Sequence, residues 1–187
     1  MDPIIQAIRA ELKASADPRT LASSQRFFKE EVHPYGVKVP VVNAVAREYF
    51  KQVKDKPKEE IYELCEELWR SGMLEESFVA CAWSDRLRKR YEPADFTIFE
   101  RWVKNYVNNW ASCDTFCNHT IGGFLERFPR YLPELQKWAG SDNRWVRRAA
   151  AVSLIVPARK GMFLDEIFGI ADLLLTDEDD LVRKGYG

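Results

Sequence analysis

Two series of large apolar residues recur along this chain at nearly constant intervals. They are Trp69, Trp102, Trp138 and Leu174, and then Phe78, Trp110, Trp145 and Leu181. The first series advances by roughly 33 to 36 residues, which is within the range of helical-hairpin repeats, and the second series follows it with similar steps. Matching steps in two series predict pairs of helices. The first series would end each first helix, and the second would lie near the start of each second helix.

Apolar residues within these pairs follow helical spacing. Such spacing recurs in the segments 4–12, 61–68, 96–103 and 167–174. No stretch alternates with a period of two, so no β-sheet is expected. Helix starts are expected at Pro40, at Pro57 and, capped by Ser141-Asp142, near Asn143. The predicted fold class is all-α: an α-α superhelix, a right-handed solenoid of HEAT-like repeats whose second helices line one surface, normally the concave one.

The whole chain, 1–187, is expected to be a single HEAT-like repeat domain with an incomplete last repeat. Its 187 residues and 46% hydrophobic content suffice for a substantial core. A last second helix begins in the acidic run 177–180, which is interpreted as a solvated helix end that complements the helix dipole. That helix reaches Gly187 after about two turns, whereas a solenoid usually ends on a complete repeat. We therefore expect the sequence to be a truncated form of a longer protein.

Composition argues against a membrane or disordered protein. Charged residues make up 30% of the chain, and no apolar run approaches the roughly 18 residues of a bilayer span. No signal peptide is recognisable at the N-terminus, so a cytoplasmic location is expected. The net charge of −1 does not by itself indicate nucleic-acid binding. Such a function would need the basic residues gathered on one face.

The second helices carry the most informative pair of motifs. Trp110 and Asp114 are four residues apart and share a helix face. Arg148 follows three residues after Trp145, the equivalent of Trp110 in the next repeat. Packed helix axes lie about 8–10 Å apart, so Asp114 and Arg148 can face each other. One interpretation is an ion pair between repeats with both tryptophans in the core, and the other is an aromatic and carboxylate site for a cation.

Basic residues recur in register with these second helices. They are Arg86, Arg88, Lys89 and Arg90, then Arg144, Arg147, Arg148, Arg159 and Lys160, and finally Arg183 and Lys184. Any one of them is usually a solvated surface residue. Their recurrence in each second helix supports the hypothesis of a groove that follows nucleic-acid phosphates.

Cysteine and histidine residues do not form a recognisable site. The four cysteines, scattered along apolar faces, are Cys65, Cys81, Cys113 and Cys117, and they form no disulfide framework. Cys113 and Cys117 share a helix face, but His119 points elsewhere, and too few ligands converge for a metal ion. A Cys–His nucleophile would lack an orienting third group. No metal and no cofactor are expected.

A more specific signal comes from two strings in the second helices. They are Asn109-Trp110-Ala111-Ser112-Cys113-Asp114 and Ser141-Asp142-Asn143-Arg144-Trp145-Val146-Arg147-Arg148-Ala149-Ala150. Together with Phe27-Phe28-Lys29 and Gly36-Val37-Lys38-Val39-Pro40, they resemble the AlkD family of DNA alkylation repair glycosylases. The similarity covers essentially the whole chain, with the same repeat architecture.

This resemblance implies hydrolysis of the N-glycosidic bond of cationic alkylpurines, such as 3-methyladenine and 7-methylguanine, in double-stranded DNA. The enzyme would be monofunctional and monomeric, without a cofactor, and in a prokaryote it would be associated with the nucleoid. The resemblance makes Asp114 and Trp110 catalytic. Asp114 would stabilise the oxocarbenium-like sugar and place a water, while Trp110 would contact the deoxyribose. Arg148 would hold the backbone phosphate, and the other expected DNA-binding residues are Trp145, Arg147, Arg144 and Lys184.

The sequence departs from the family pattern at two places. Ala111 stands where well-known members carry an acidic residue. The family also places another active-site tryptophan directly after the glycine that matches Gly187, so one wall of the site is expected to be missing. Whether the form that ends at Gly187 is active, and which adducts it prefers, stay open.

Two other functions compete with the glycosylase interpretation. The first is a non-catalytic HEAT-repeat protein that binds damaged or branched DNA, and the second is a protein-binding HEAT scaffold. Asp114 argues against the first, because a groove for phosphates gains nothing from a central carboxylate. The recurring basic residues argue against the second, which would favour an apolar or mixed groove.

Overall fold

Residues 2–186, which the computed structural model describes, form helices and turns without a β-strand. The all-α class predicted from the sequence is confirmed. The chain divides into two compact units, Met1–Arg90 and Tyr91–Gly187, while the expectation of a single domain over 1–187 stays a prediction. None of the helices between residues 2 and 186 combines the length and the apolar composition that a membrane span needs.

The first unit contains five α-helices in its described residues, 2–90. They are α1 (Pro3–Ala14), α2 (Pro18–Phe27), α3 (Val39–Val53), α4 (Lys58–Arg70) and α5 (Leu74–Arg86). The carboxylates of Asp2 and Asp17 cap α1 and α2 by accepting backbone N–H groups of the first turn. Apolar faces of α1, α3, α4 and α5 meet in the core. There the indole Nε1 of Trp83 donates to the carbonyl oxygen of Ala46 at 2.8 Å.

Two buried carboxylates hold the segment that precedes α3. Glu75 accepts the backbone N–H groups of Tyr35, Gly36 and Val37 at 2.8, 2.9 and 2.9 Å. Glu76 accepts the Tyr35 hydroxyl at 2.6 Å and pairs with the Arg9 guanidinium at 2.9 Å. Burial, with the hydrogen bond to Glu76, raises the pKa of Tyr35 above its usual range. These contacts fix residues 35–37, at the start of the segment that leads into α3.

The second unit is assembled around one central helix. Its helices are α6 (Asp95–Asn105), α7 (Trp110–Phe116), α8 (Gly122–Arg127), α9 (Leu132–Ala139), α10 (Arg144–Val152), α11 (Ile155–Arg159), α12 (Leu164–Leu174) and α13 (Asp180–Arg183). A π-helical turn, Cys117–Ile121, joins α7 to α8. The central helix is α10, which packs against α6, α7, α9, α12 and α13.

The helix positions agree with the repeat pattern of the sequence. The helices α4, α6, α9 and α12 end at or within a few residues of the first apolar series, and α7, α10 and α13 begin at or next to a residue of the second. Two local predictions were wrong. Asn143 caps α10, where Ser141-Asp142 was expected, and Arg88–Arg90 form a 3-10 turn after α5, not part of it. In that turn the Arg90 side chain donates to the carbonyl oxygens of residues 54 and 56.

Candidate active site

Helix α7 carries Trp110 and Asp114 on one side. Asn109 begins the helix because its side-chain oxygen accepts the backbone N–H of Ser112 at 2.9 Å, and its amide donates to the Ser112 hydroxyl at 3.0 Å. The fully buried Cys113, which directly precedes Asp114, anchors the helix in the core. Trp110 and Asp114 therefore lie one turn apart at the border between core and solvent, and both are half-buried.

Trp110 differs in exposure from the other tryptophans of the chain. All six tryptophans lie in residues 2–186, and five of them are buried, with at most 8% of their surface exposed. They pack in the core, for example in the stacked pair of Trp138 and Phe96, whose ring centroids lie 5.6 Å apart. Trp110 is thus the one tryptophan of residues 2–186 that is half-buried.

Helix α10 carries Trp145 and Arg148. The Asn143 side chain caps this helix by accepting the backbone N–H of Trp145 at 2.9 Å. The Trp145 ring belongs to the core, and its carbonyl oxygen accepts the Cys113 thiol of α7 at 3.6 Å. Outside this ring, the Arg144 guanidinium lies 4.8 Å from the ring centroid. The thiol contact joins α10 to α7 at the residue that directly precedes Asp114.

Asp114 and Arg148 form an ion pair with two hydrogen bonds. Nε of Arg148 donates to Oδ1 of Asp114, and Nη2 donates to Oδ2, both at 2.7 Å. The planar guanidinium fits the carboxylate in this arrangement. The Arg148 side chain is 7% exposed, whereas that of Asp114 is 27% exposed. Burial lowers the pKa of Arg148, but the hydrogen bond and charge of Asp114 more than offset this, and the pKa is raised.

The interpretation of Asp114 and Arg148 as an ion pair therefore describes the free chain. That interpretation also placed both tryptophans in the core, which is right for Trp145 and wrong for Trp110, because Trp110 is half-buried. The roles of Asp114 in catalysis and of Arg148 in phosphate binding stay predictions. Asp114 still has open lone pairs and exposed surface, since each carboxylate oxygen can accept more than one hydrogen bond.

Residues 177–186, the terminal segment, are fastened to α10 by carboxylates. Asp177 accepts Nε and Nη2 of Arg147 at 2.6 and 3.2 Å, and Asp179 pairs with Nε of Arg144 at 3.0 Å. Asp179 also caps α13, since it accepts the backbone N–H of Leu181 at 2.8 Å. The hydrogen bond from Arg147 lowers the pKa of Asp177. The interpretation of the acidic run as a solvated helix end was incomplete, because two of its carboxylates bind arginines of another helix.

The expected DNA-binding residues differ in how much surface they offer. Arg147 and Arg148 are occupied by carboxylates and mostly covered, and Trp145 is buried. Arg144 and Lys184 are more accessible, with 40% and 62% of their side chains exposed, although each has an acidic partner. Three of these cations lie on α10 itself, and Lys184 directly follows α13, which packs against α10. Arg144 and Lys184 are the exposed ones.

Cys113 and Cys117 are both fully buried. Burial raises the pKa of the Cys113 thiol. His119 is exposed on another side of the helical turn. Within residues 2–186, no group of three His, Cys, Asp or Glu side chains is placed to hold a metal ion. Gly187, beside which a further tryptophan was expected, lies outside the described residues.

Comparison with known proteins agrees with the resemblance found in the sequence. The family model described as DNA alkylation repair enzyme matches residues 8–187. A similar solved structure is described as a predicted DNA alkylation repair enzyme from Enterococcus faecalis. It has a TM-score of 0.80 and 20% sequence identity, over 91% of this chain and 79% of that chain. At this identity the likeness concerns the fold, and it supports the α-α superhelix class. A comparison with curated proteins finds no match.

Proposed function

Because the chain belongs to the family of DNA alkylation repair enzymes, which supports a role in DNA repair, we propose that it is a monofunctional alkylpurine DNA glycosylase. Its substrates would be cationic bases such as 3-methyladenine and 7-methylguanine in double-stranded DNA. It would act as a monomer without metal or cofactor, in the cytoplasm or, in a prokaryote, at the nucleoid. One observation carries this proposal: a partly exposed carboxylate, oriented by Arg148, lies one helical turn from the one accessible tryptophan, Trp110.

Hydrolysis of the glycosidic bond of such a substrate needs few groups beyond Asp114 and Trp110. An alkylated purine is cationic, so it leaves with the electron pair of the glycosidic bond as a neutral base. The sugar left behind develops positive charge, which the Asp114 carboxylate stabilises while it orients a water molecule. The water oxygen then bonds to the sugar carbon and loses its proton to the carboxylate or to solvent. Stabilising charge that develops in the transition state typically contributes about 10²–10³ in rate.

Arg148 supports this role by holding the carboxylate in one orientation. Three of its nitrogens are engaged, because Nε and Nη2 bind Asp114 and Nη1 donates to the carbonyl oxygen of Leu181. A phosphate contact by Arg148, as the family resemblance implies, would use the N–H groups that remain on Nη1 and Nη2. Trp110 would contact the deoxyribose through its exposed ring face.

The activity is tested directly with a duplex oligonucleotide that carries 7-methylguanine at one position. We expect release of the free base and an abasic site that alkali cleaves, with no product from the unmodified duplex. Binding to both duplexes is measured in parallel. Binding without base release would overturn the enzyme proposal and favour a non-catalytic DNA-binding protein. In such a protein, the Asp114–Arg148 ion pair would only stabilise the structure. The absence of any binding would favour a protein scaffold.

The more exposed cations, Arg144 and Lys184, are expected to bind backbone phosphates. The double variant Arg144→Gln/Lys184→Gln should bind DNA more weakly and reduce the slope of log Kd against log salt by about 2, since each phosphate contact contributes about 0.9. A fluorescence anisotropy titration at several salt concentrations measures this. The matched control is Lys104→Gln/Lys137→Gln, which removes the same charge from the first helices α6 and α9. An equal loss of slope in both variants would contradict the assignment.

A further inference from the structure

Arg148 is covered by the terminal segment. The carbonyl oxygen of Leu181 accepts its Nη1, and Gly185 lies against its aliphatic stem. A Cβ atom built on Gly185 would lie 3.5 Å from Cγ of Arg148 and 3.0 Å from the carbonyl oxygen of Val182. The segment therefore packs close to the aliphatic part of the arginine side chain. The burial of Arg148 depends on these contacts as well as on Asp114.

The Arg147–Asp177 pair fastens the start of this same segment. Asp177 is almost fully buried, and its two oxygens accept Nε and Nη2 of Arg147. Neighbouring residues of an α-helix point about 100° apart, since a turn holds about 3.6 residues. The side chains of Arg147 and Arg148 therefore leave α10 in different directions, and each holds the terminal segment at a different point. The fully buried Val182 also anchors the segment.

We propose that Arg147 and Asp177 are positioning residues for the candidate active site. Their ion pair fixes the terminal segment on α10, and the segment then keeps the Arg148 guanidinium on the Asp114 carboxylate. A long arginine side chain has many rotamers, so a covering carbonyl and a close backbone contact select the one that meets Asp114. The consequence for catalysis rests on the proposed function of Asp114, but the effect on the ion pair does not.

The test is hydrogen exchange at the Nε–H group of Arg148, followed by ¹H–¹⁵N NMR of the free protein. The resonance is assigned by its disappearance in Arg148→Lys. In the wild type, the hydrogen bond to Asp114 should make exchange with solvent slow. In Asp177→Asn, which keeps the side-chain shape but removes the charge, we expect exchange about tenfold faster, as coupled contacts typically show.

Two controls separate a local effect from general unfolding. Glu126→Gln breaks the 2.7 Å ion pair with Lys160 elsewhere in the same unit and should leave the exchange unchanged. The Nε–H of Arg9, bound to Glu76 at 3.0 Å, should exchange at the same rate in all variants. If Asp177→Asn does not fold, Arg147→Gln keeps the proposal testable, because it breaks the same ion pair from the α10 side.

Unchanged exchange at Arg148 in a folded Asp177→Asn or Arg147→Gln variant would overturn the proposal, whether or not the protein releases bases. If the Nε–H of Arg148 exchanges faster in Asp177→Asn but the wild-type protein does not release bases, the positioning role stands and only the proposed function is rejected. If both proposals hold, Asp177→Asn should also slow single-turnover base release by about tenfold while the Kd for DNA is preserved. A purely structural role would leave that rate unchanged in the folded variant.

Discussion

Replacing Asp114 by asparagine is expected to remove most of the base release while DNA affinity is preserved or improved. Asparagine keeps the shape of the side chain but not its charge, so the developing positive charge on the sugar loses its stabilising partner. The expected fall in the single-turnover rate is about 10²–10³-fold. Affinity should not fall, because the carboxylate repels the nearby phosphates. Release of 7-methylguanine under single-turnover conditions and an anisotropy titration measure the two effects separately.

The same substitution leaves Arg148 buried beside a neutral partner, so stability must be measured as well. Removing one partner of a buried ion pair typically costs about 3–5 kcal/mol, and the partial exposure of Asp114 favours the lower end. Rates should therefore be compared at a temperature where circular dichroism shows both proteins folded. Asp165→Asn is a matched control, because it neutralises an exposed carboxylate in the first turn of α12. Wild-type base release by folded Asp114→Asn would reduce Asp114 to a structural role.

The helices of this chain could be predicted from its sequence because their signals are local. Apolar spacing, proline positions and the two recurring apolar series predicted the paired helices, whereas α2, α11 and the π-helical turn between α7 and α8 were not predicted. The contact between Asp114 and Arg148 was also foreseeable as one alternative, since equivalent positions on neighbouring second helices lie one interhelix spacing apart. Only the positions of the side chains show that Asp114 and Arg148 bind each other in the free chain.

The different surroundings of Trp110 and Trp145 could not be predicted, although the two residues occupy equivalent positions in the repeat. Five helices pack around α10 and bury Trp145. Trp110 starts a short helix at the solvent border and stays half-buried. Exposure depends on the number of neighbouring elements, which the repeat pattern does not specify. The fold therefore favours Trp110 as the ligand-facing aromatic residue.

Ion pairs between distant parts of the sequence were missed for a similar reason. Asp177 and Asp179 belong to an acidic run whose local signal is that of an exposed helix start, and their arginine partners lie on α10. Glu75 and Glu76 likewise stand in the first turn of α5, where acidic residues are common because of the helix dipole. Only the tertiary structure shows that both glutamates are buried and bonded.

Replacing Glu75 by alanine is expected to lower the free energy of unfolding by about 3 kcal/mol or more. The substitution leaves three backbone N–H groups at residues 35–37 without their acceptor, and each buried unsatisfied donor costs about 1–3 kcal/mol. Water that enters the vacated space would offset part of this loss. Urea denaturation measures the change in stability, and amide hydrogen exchange at Gly36 and Val37 shows whether the segment has loosened.

A glutamate on the surface of the same unit provides the control for Glu75→Ala. Glu60 on α4 is 50% exposed and pairs with Lys56 at 2.8 Å, four residues away. Such exposed pairs contribute about 0.3–0.5 kcal/mol, so Glu60→Ala should leave the urea midpoint almost unchanged. A Glu75→Ala variant with the wild-type midpoint and unchanged exchange at Gly36 would show that the carboxylate does not hold this segment. Residues 35–37 would then owe their position to the close approach of Gly36 to Leu21 and to the hydrogen bond that the Gly36 carbonyl oxygen accepts from the backbone N–H of Asp17 at 2.9 Å.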